Sequence, residues 1–109
     1  MATTVIVDGQ NVRRSRWPNI PERELVDLVR AWAEREGLRP LIVFDGPAPV
    51  EADDVIGTGR ETAEDWIARE ASRYAPYWLV TSDRELRERA GGGAERVIGG
   101  GAFAGEIQG

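Results

Sequence analysis

VIVDGQNV, residues 5–12, climbs through three β-branched residues to a lone carboxylate, Asp8, and breaks at once on Gly9. A continuous apolar run of this kind reads as a short strand buried on both faces. Two later stretches repeat the pattern: PLIVFD, residues 40–45, ends at Asp45, and YWLVTSD, residues 77–83, ends at Asp83. Helical segments separate them. ERELVDLVRAWAEREG, residues 22–37, has Leu25, Leu28, Val29 and Trp32 at helical spacing, acids at its start and Gly37 at its end. A second helix opens at ETAEDW, residues 61–66, where Ala63, Trp66, Ile67 and Ala71 share a face, and a third spans DRELRERAG, residues 83–91. DDVIGTG, residues 53–59, reads as a brief edge strand and ERVIG, residues 95–99, as a short strand. GQNVRRSRWPNIP, residues 9–21, reads as a polar loop, and the tail GGAFAGEIQG, residues 100–109, as a frayed final helix or a loose end. Strands alternating with helices make this an α/β fold with a parallel sheet covered on both faces.

The sheet explains why strands finish on acids. Strands running in parallel end on one edge, and ligands of open α/β sheets bind there, where the strand order reverses. Asp8, Asp45 and Asp83 would then crowd together and repel one another. A hard divalent cation with oxygen ligands, Mg²⁺ or Mn²⁺, relieves that repulsion. Glu61 and Asp65, four apart near a helix start, are candidates to join them as metal ligands. Each acid also has a plainer reading. Asp8-Gly9 and Asp45-Gly46-Pro47 are turn chemistry. Ser82 with Glu85, Thr62 with Asp65 and Thr58 with Glu61 all fit helix-capping spacing.

Composition narrows the chemistry. The 109 residues suit one compact unit, 41% hydrophobic and 30% charged. No apolar run reaches the ~20 residues that cross a bilayer. The chain has no cysteine, and the start MATT has no secretory pattern; both fit a cytoplasmic protein. It has no histidine, which removes Ser-His and Cys-His catalysis. All 14 basic residues are arginine, so a lysine-bearing phosphate loop and Schiff-base chemistry are excluded. The net charge of −5 argues against a non-specific nucleic-acid coat but suits a nuclease whose ions reverse the field at an acidic centre. RRSRW, residues 13–17, puts Arg13, Arg14 and Arg16 beside an aromatic at the mouth of the expected site. These could hold phosphates and stack a base, or form a solvated loop with Trp17 packed back. Arg60 is placed to meet phosphate oxygens or to pair with Glu64. Trp32, Trp66 and Trp78 occupy core-like positions.

VIVDGQNV, LIVFDG, GRETAEDWI and WLVTSDREL, taken in order, resemble the NYN domains of the PIN-like nuclease superfamily, in particular the YacP-like branch. The likeness spans positions 4–87. It implies a three-layer α/β/α sandwich with a mainly parallel central sheet in the order 3-2-1-4-5, formed by a single domain over residues 1–109. Residues 91–109 are a glycine-rich, abbreviated C-terminal part. It implies a Mg²⁺- or Mn²⁺-dependent endoribonuclease acting on single-stranded or structured RNA. Carried over by position, Asp8, Asp65 and Asp83 are its metal-binding and catalytic acids and Asp45 a further one. Asn11 matches the asparagine that orders the first loop, and Thr81 or Ser82 would hydrogen-bond a carboxylate or a phosphate. The alternative is a catalytically silent RNA- or protein-binding module of the same fold. A phosphatase using Asp8 as nucleophile is disfavoured, because position 10 is Gln and no lysine is present. The exposed edge strand leaves room for a homodimer.

Overall fold

The computed structural model describes residues 2–109, so Met1 of the expected 1–109 unit lies outside the described residues. Five strands form one sheet: β1 (Thr4–Asp8), β2 (Arg39–Phe44), β3 (Val55–Gly57), β4 (Tyr77–Val80) and β5 (Arg96–Ile98). All pair in parallel, in the order β3-β2-β1-β4-β5. The expected 3-2-1-4-5 arrangement is therefore observed. The order reverses between β1 and β4, which places the switch point at the tips of those two strands.

Alternation along β1 sends side chains to two cores. Val5 and Val7 join one apolar cluster, and Ile6 joins the other. The first core is covered by helix α1 (Gly9–Arg14), helix α2 (Glu22–Glu36) and helix α5 (Gly100–Ile107). The second is covered by α3 (Ala63–Glu70) and α4 (Arg84–Ala90). Short 3₁₀ turns at Ala71–Tyr74 and Gly91–Gly93 follow α3 and α4. Helix α2 behaves as its pattern dictates. Leu25, Val29 and Trp32 are buried, and Gly37 closes it in the left-handed region at φ 69°.

One segment departs from the sequence reading, and in a second the structure decides between two alternatives. Residues 9–14, expected in a loop, form α1. Val12 is fully buried and anchors this turn, while Gln10 accepts a hydrogen bond from Arg13 at 2.8 Å and donates to Glu22 at 2.9 Å. One apolar residue in six cannot display a helical period, so packing rather than pattern sets this helix. The tail, expected as a frayed final helix or a loose end, forms the helix α5, which is not frayed, because Phe103, Ala104 and Ile107 are buried on one side of it. Phe103 meets Trp32 edge-on at 4.9 Å. Among the described residues no helix is long and apolar enough to cross a membrane.

Candidate functional site

A cleft of about 610 Å³ opens at the carboxyl edge of the sheet, over the switch point. Its lining includes four acids, Asp8, Asp45, Glu64 and Asp83. Each reaches it from a different element. Asp8 closes β1, Asp45 follows β2, Asp83 precedes α4, and Glu64 lies in the first turn of α3. The three strand-end aspartates thus share one cleft.

Asp8 is the most enclosed of them, at 9% exposure. Its Oδ2 accepts a hydrogen bond from the fully buried Thr81 hydroxyl at 3.0 Å. The same hydroxyl accepts the Asp83 backbone N–H at 3.1 Å, so Thr81 ties the tip of β1 to the entry of α4. Burial pushes the Asp8 carboxyl up to about 6, and the nearby charges of Asp45 and Asp83 push the same way. Thr81 opposes the rise. So does the Asn11 backbone amide, which favours the charge although its geometry falls short of a helix-cap hydrogen bond.

The other acids are partly occupied by the protein itself. Asp45 accepts a hydrogen bond from the Ala63 backbone N–H at the start of α3. Asp83 caps α4 by accepting the Leu86 N–H at 3.0 Å, so the cap is Asp83 and not Ser82. Glu64 Oε1 has no hydrogen-bond donor among the described residues, and the Arg89 guanidinium stands 3.6 Å from it. Desolvation first, then the charges of Asp83 and Glu85, push the Glu64 carboxyl up. Arg89 pulls it back, which fits a side chain only partly shielded from water.

Asp65 and Glu61 do not line this cleft. Asp65 accepts from Arg89 at 2.7 Å, and that hydrogen bond holds its carboxyl below the usual range. Its backbone N–H is capped by Thr62 Oγ1 at 3.0 Å, the capping alternative that the spacing allowed. Glu61 is gripped by Arg69 through both carboxylate oxygens. Glu64 occupies the position expected of Asp65. The two are adjacent in sequence, and only the phase of α3 around its axis distinguishes them.

The polar candidates divide in the same way. Asn11 Oδ1 accepts the Ser82 N–H at 2.9 Å, and Ser82 Oγ accepts the Gly100 N–H at 2.8 Å. Together they latch α1, the β4 exit and α5 around the cleft. A Cβ at Gly100 would sit 2.3 Å from Asn11 Oδ1, so this approach requires glycine. Arg14 lines the cleft, while Arg13 donates to the Ile20 carbonyl at 3.0 Å and to Gln10. The Arg16 guanidinium lies against Gly105 of α5. Arg60 makes no ion pair among the described residues and lies outside the cleft lining. Trp32 is buried and Trp66 and Trp78 half-buried, whereas Trp17 does not pack back.

The donor set is chemically suited to a hard cation, since it consists of carboxylate and hydroxyl oxygens. Among the described residues no three acids already stand together as ligands of one ion. Mg²⁺ keeps several waters and is commonly held by only one or two carboxylates with substrate phosphates, so a closed cage is not required.

The crystal structure of Rae1 (YacP) from Bacillus subtilis matches 97% of this chain and 75% of that one, with a TM-score of 0.70 at 21% identity. The chain therefore has a YacP-like fold. No protein-family model and no curated protein matches the sequence.

Proposed function

We propose that this protein is a metal-dependent endoribonuclease of the NYN type, hydrolysing RNA phosphodiester bonds at the acidic cleft. The observation that carries the proposal is the convergence of Asp8, Asp45 and Asp83 with Glu64 on one cleft at the switch point. The resemblance of the strand-end motifs to YacP-like nucleases supports it, and so does the YacP-like fold.

Asp8 and Asp83 would hold Mg²⁺ or Mn²⁺, with Asp45 and Glu64 beside them. Such an ion supplies a Lewis acid and lowers the pKa of its bound water. Thr81 holds the Asp8 carboxylate at Oδ2, and the other oxygen would face the ion. Asp45 and Asp83 keep α3 and α4 in place through their caps while facing the cleft. Arg14, which lines the cleft, would meet phosphate oxygens of the substrate. The chain's lack of cysteine fits a reducing compartment, and we assign the activity to the cytoplasm.

Asp8→Asn keeps the size and the Thr81 partner but removes the charge. It is expected to abolish Mn²⁺-dependent cleavage of a labelled RNA while the circular dichroism spectrum stays that of the wild type. Full activity in that variant would exclude the assignment. The second reading is a catalytically silent binding module, compatible with the finding that among the described residues no three acids stand together as ligands of one ion. RNA binding without turnover in both Mg²⁺ and Mn²⁺ would establish it.

A further inference from the structure

The loop leaving α1 sets an aromatic ring in open water, two residues beyond a residue that lines the cleft. Trp17 is 88% exposed, against 2% for Trp32. Looseness does not account for this exposure. The Arg13 carbonyl accepts the Ile20 N–H at 3.0 Å, Arg13 Nε donates back to the Ile20 carbonyl at 3.0 Å, and Ile20 is buried. At the other side, Ser15 Oγ donates to the Val12 carbonyl at 2.6 Å, and Arg16 rests on α5 at Gly105. The loop is closed at its neck and braced at its flank, so the indole is presented rather than left over.

The segment that carries it is basic on a negative protein. Residues 9–21 contain three arginines and no acid, on a chain of net charge −5. Among the described residues neither Arg14 nor Arg16 is in an ion pair. Arg14 and Ser15 line the cleft, and Trp17 follows Ser15 by two residues, at most about 7 Å of chain. An exposed π-face three residues along the chain from a guanidinium in no ion pair matches an unpaired nucleobase with its phosphate. A duplex offers no such face, because its bases are stacked on one another.

We propose that Trp17 is a stacking platform for one unpaired base, with Arg14 taking the adjoining phosphate, so that the cleft receives single-stranded RNA. This rests on the reading of the cleft as an RNA site and names the residue that selects the strand state.

The test is fluorescence anisotropy with a labelled single-stranded RNA and its blunt duplex, in EDTA so that no turnover intervenes. The wild type is expected to prefer the single strand. Trp17→Ala is expected to weaken single-strand binding about tenfold and leave duplex binding unchanged, while Trp17→Phe retains most of the affinity. An unchanged melting temperature in both variants shows that the fold is intact, as the side chain's exposure predicts. Equal single-strand affinity in Trp17→Ala and wild type overturns the proposal, and so does an equal loss for single strand and duplex. A blue-shifted Trp17 emission on phosphatidylserine vesicles without RNA binding also overturns it and assigns the loop to a membrane surface. Trp17-dependent binding without cleavage after Mn²⁺ is restored upholds the platform and removes the nuclease. Cleavage that is insensitive to Trp17→Ala does the reverse.

Discussion

Asp8 is where folding and chemistry conflict most directly. An ordinary aspartate titrates near 3.8, and burial raises this one to about 6 in the fold. Between those values the folded chain holds a proton that the unfolded chain has released. Stability is therefore greatest below about pH 4 with respect to this group and declines as pH rises through 6, the reverse of the usual carboxylate. The difference corresponds to about 3 kcal/mol at neutral pH. Asp8→Asn is expected to recover much of it, raising the urea midpoint at pH 7 and flattening its decline between pH 4 and 7. A variant no more stable than the wild type at pH 7 would mean that the carboxylate is not strained. The sequence made Asp8 legible, because a buried strand rarely ends on a charge without a reason. Thr81 was harder to see. A threonine after a strand has no distinguishing pattern, and only the crossing of β4 beside β1 brings its hydroxyl to Asp8.

At the scale of the element, phase decides. Helix α3 begins at Ala63 with Thr62 as its cap, and one residue later turns the chain by about 100°. That rotation gives Glu64 to the cleft and Asp65 to Arg89. Glu64→Gln is expected to lower Mn²⁺-dependent RNA cleavage at least tenfold. Asp65→Asn is expected to leave it within about twofold and to leave the urea midpoint nearly unchanged, since an exposed ion pair contributes little. Reversed effects in a side-by-side kinetic assay would restore Asp65 to the site. The motif spacing identified the helix but singled out Glu61 and Asp65, neither of which lines the cleft, since boundary and phase are set by the cap and by packing against α4. The same limit applies to α1, whose single buried Val12 carries no periodic signal.

Over the whole molecule, the sheet order gathers the tips of β1, β2 and β4 and so collects negative charge on a chain already at −5. A divalent ion that binds the folded form alone should stabilise it by about 2.7 kcal/mol at a hundredfold excess over its Kd. Titration of Mn²⁺ is expected to raise the melting temperature of the wild type at pH 7, with the shift lost in Asp8→Asn; an identical shift in both would place the ion elsewhere. Helix α5 is the second feature at this scale. Phe103, fully buried against Trp32, caps the core shared by α1 and α2. Phe103→Ala is expected to cost about 3–5 kcal/mol, measured by urea denaturation. A loss below ~1 kcal/mol would show that the tail is dispensable.

The sequence by itself determined the strands, their shared direction and the acids at their tips, because burial and periodicity are properties of neighbouring residues along the chain. Tertiary structure alone decided that Glu64 rather than Asp65 enters the cleft, that Thr81 rather than Ser82 bonds the Asp8 carboxylate, that the tail helix is buried in the core rather than frayed, and that Trp17 stands in solvent. Each of those depends on where segments far apart in the chain meet, and contact between distant segments leaves no local period from which it can be read.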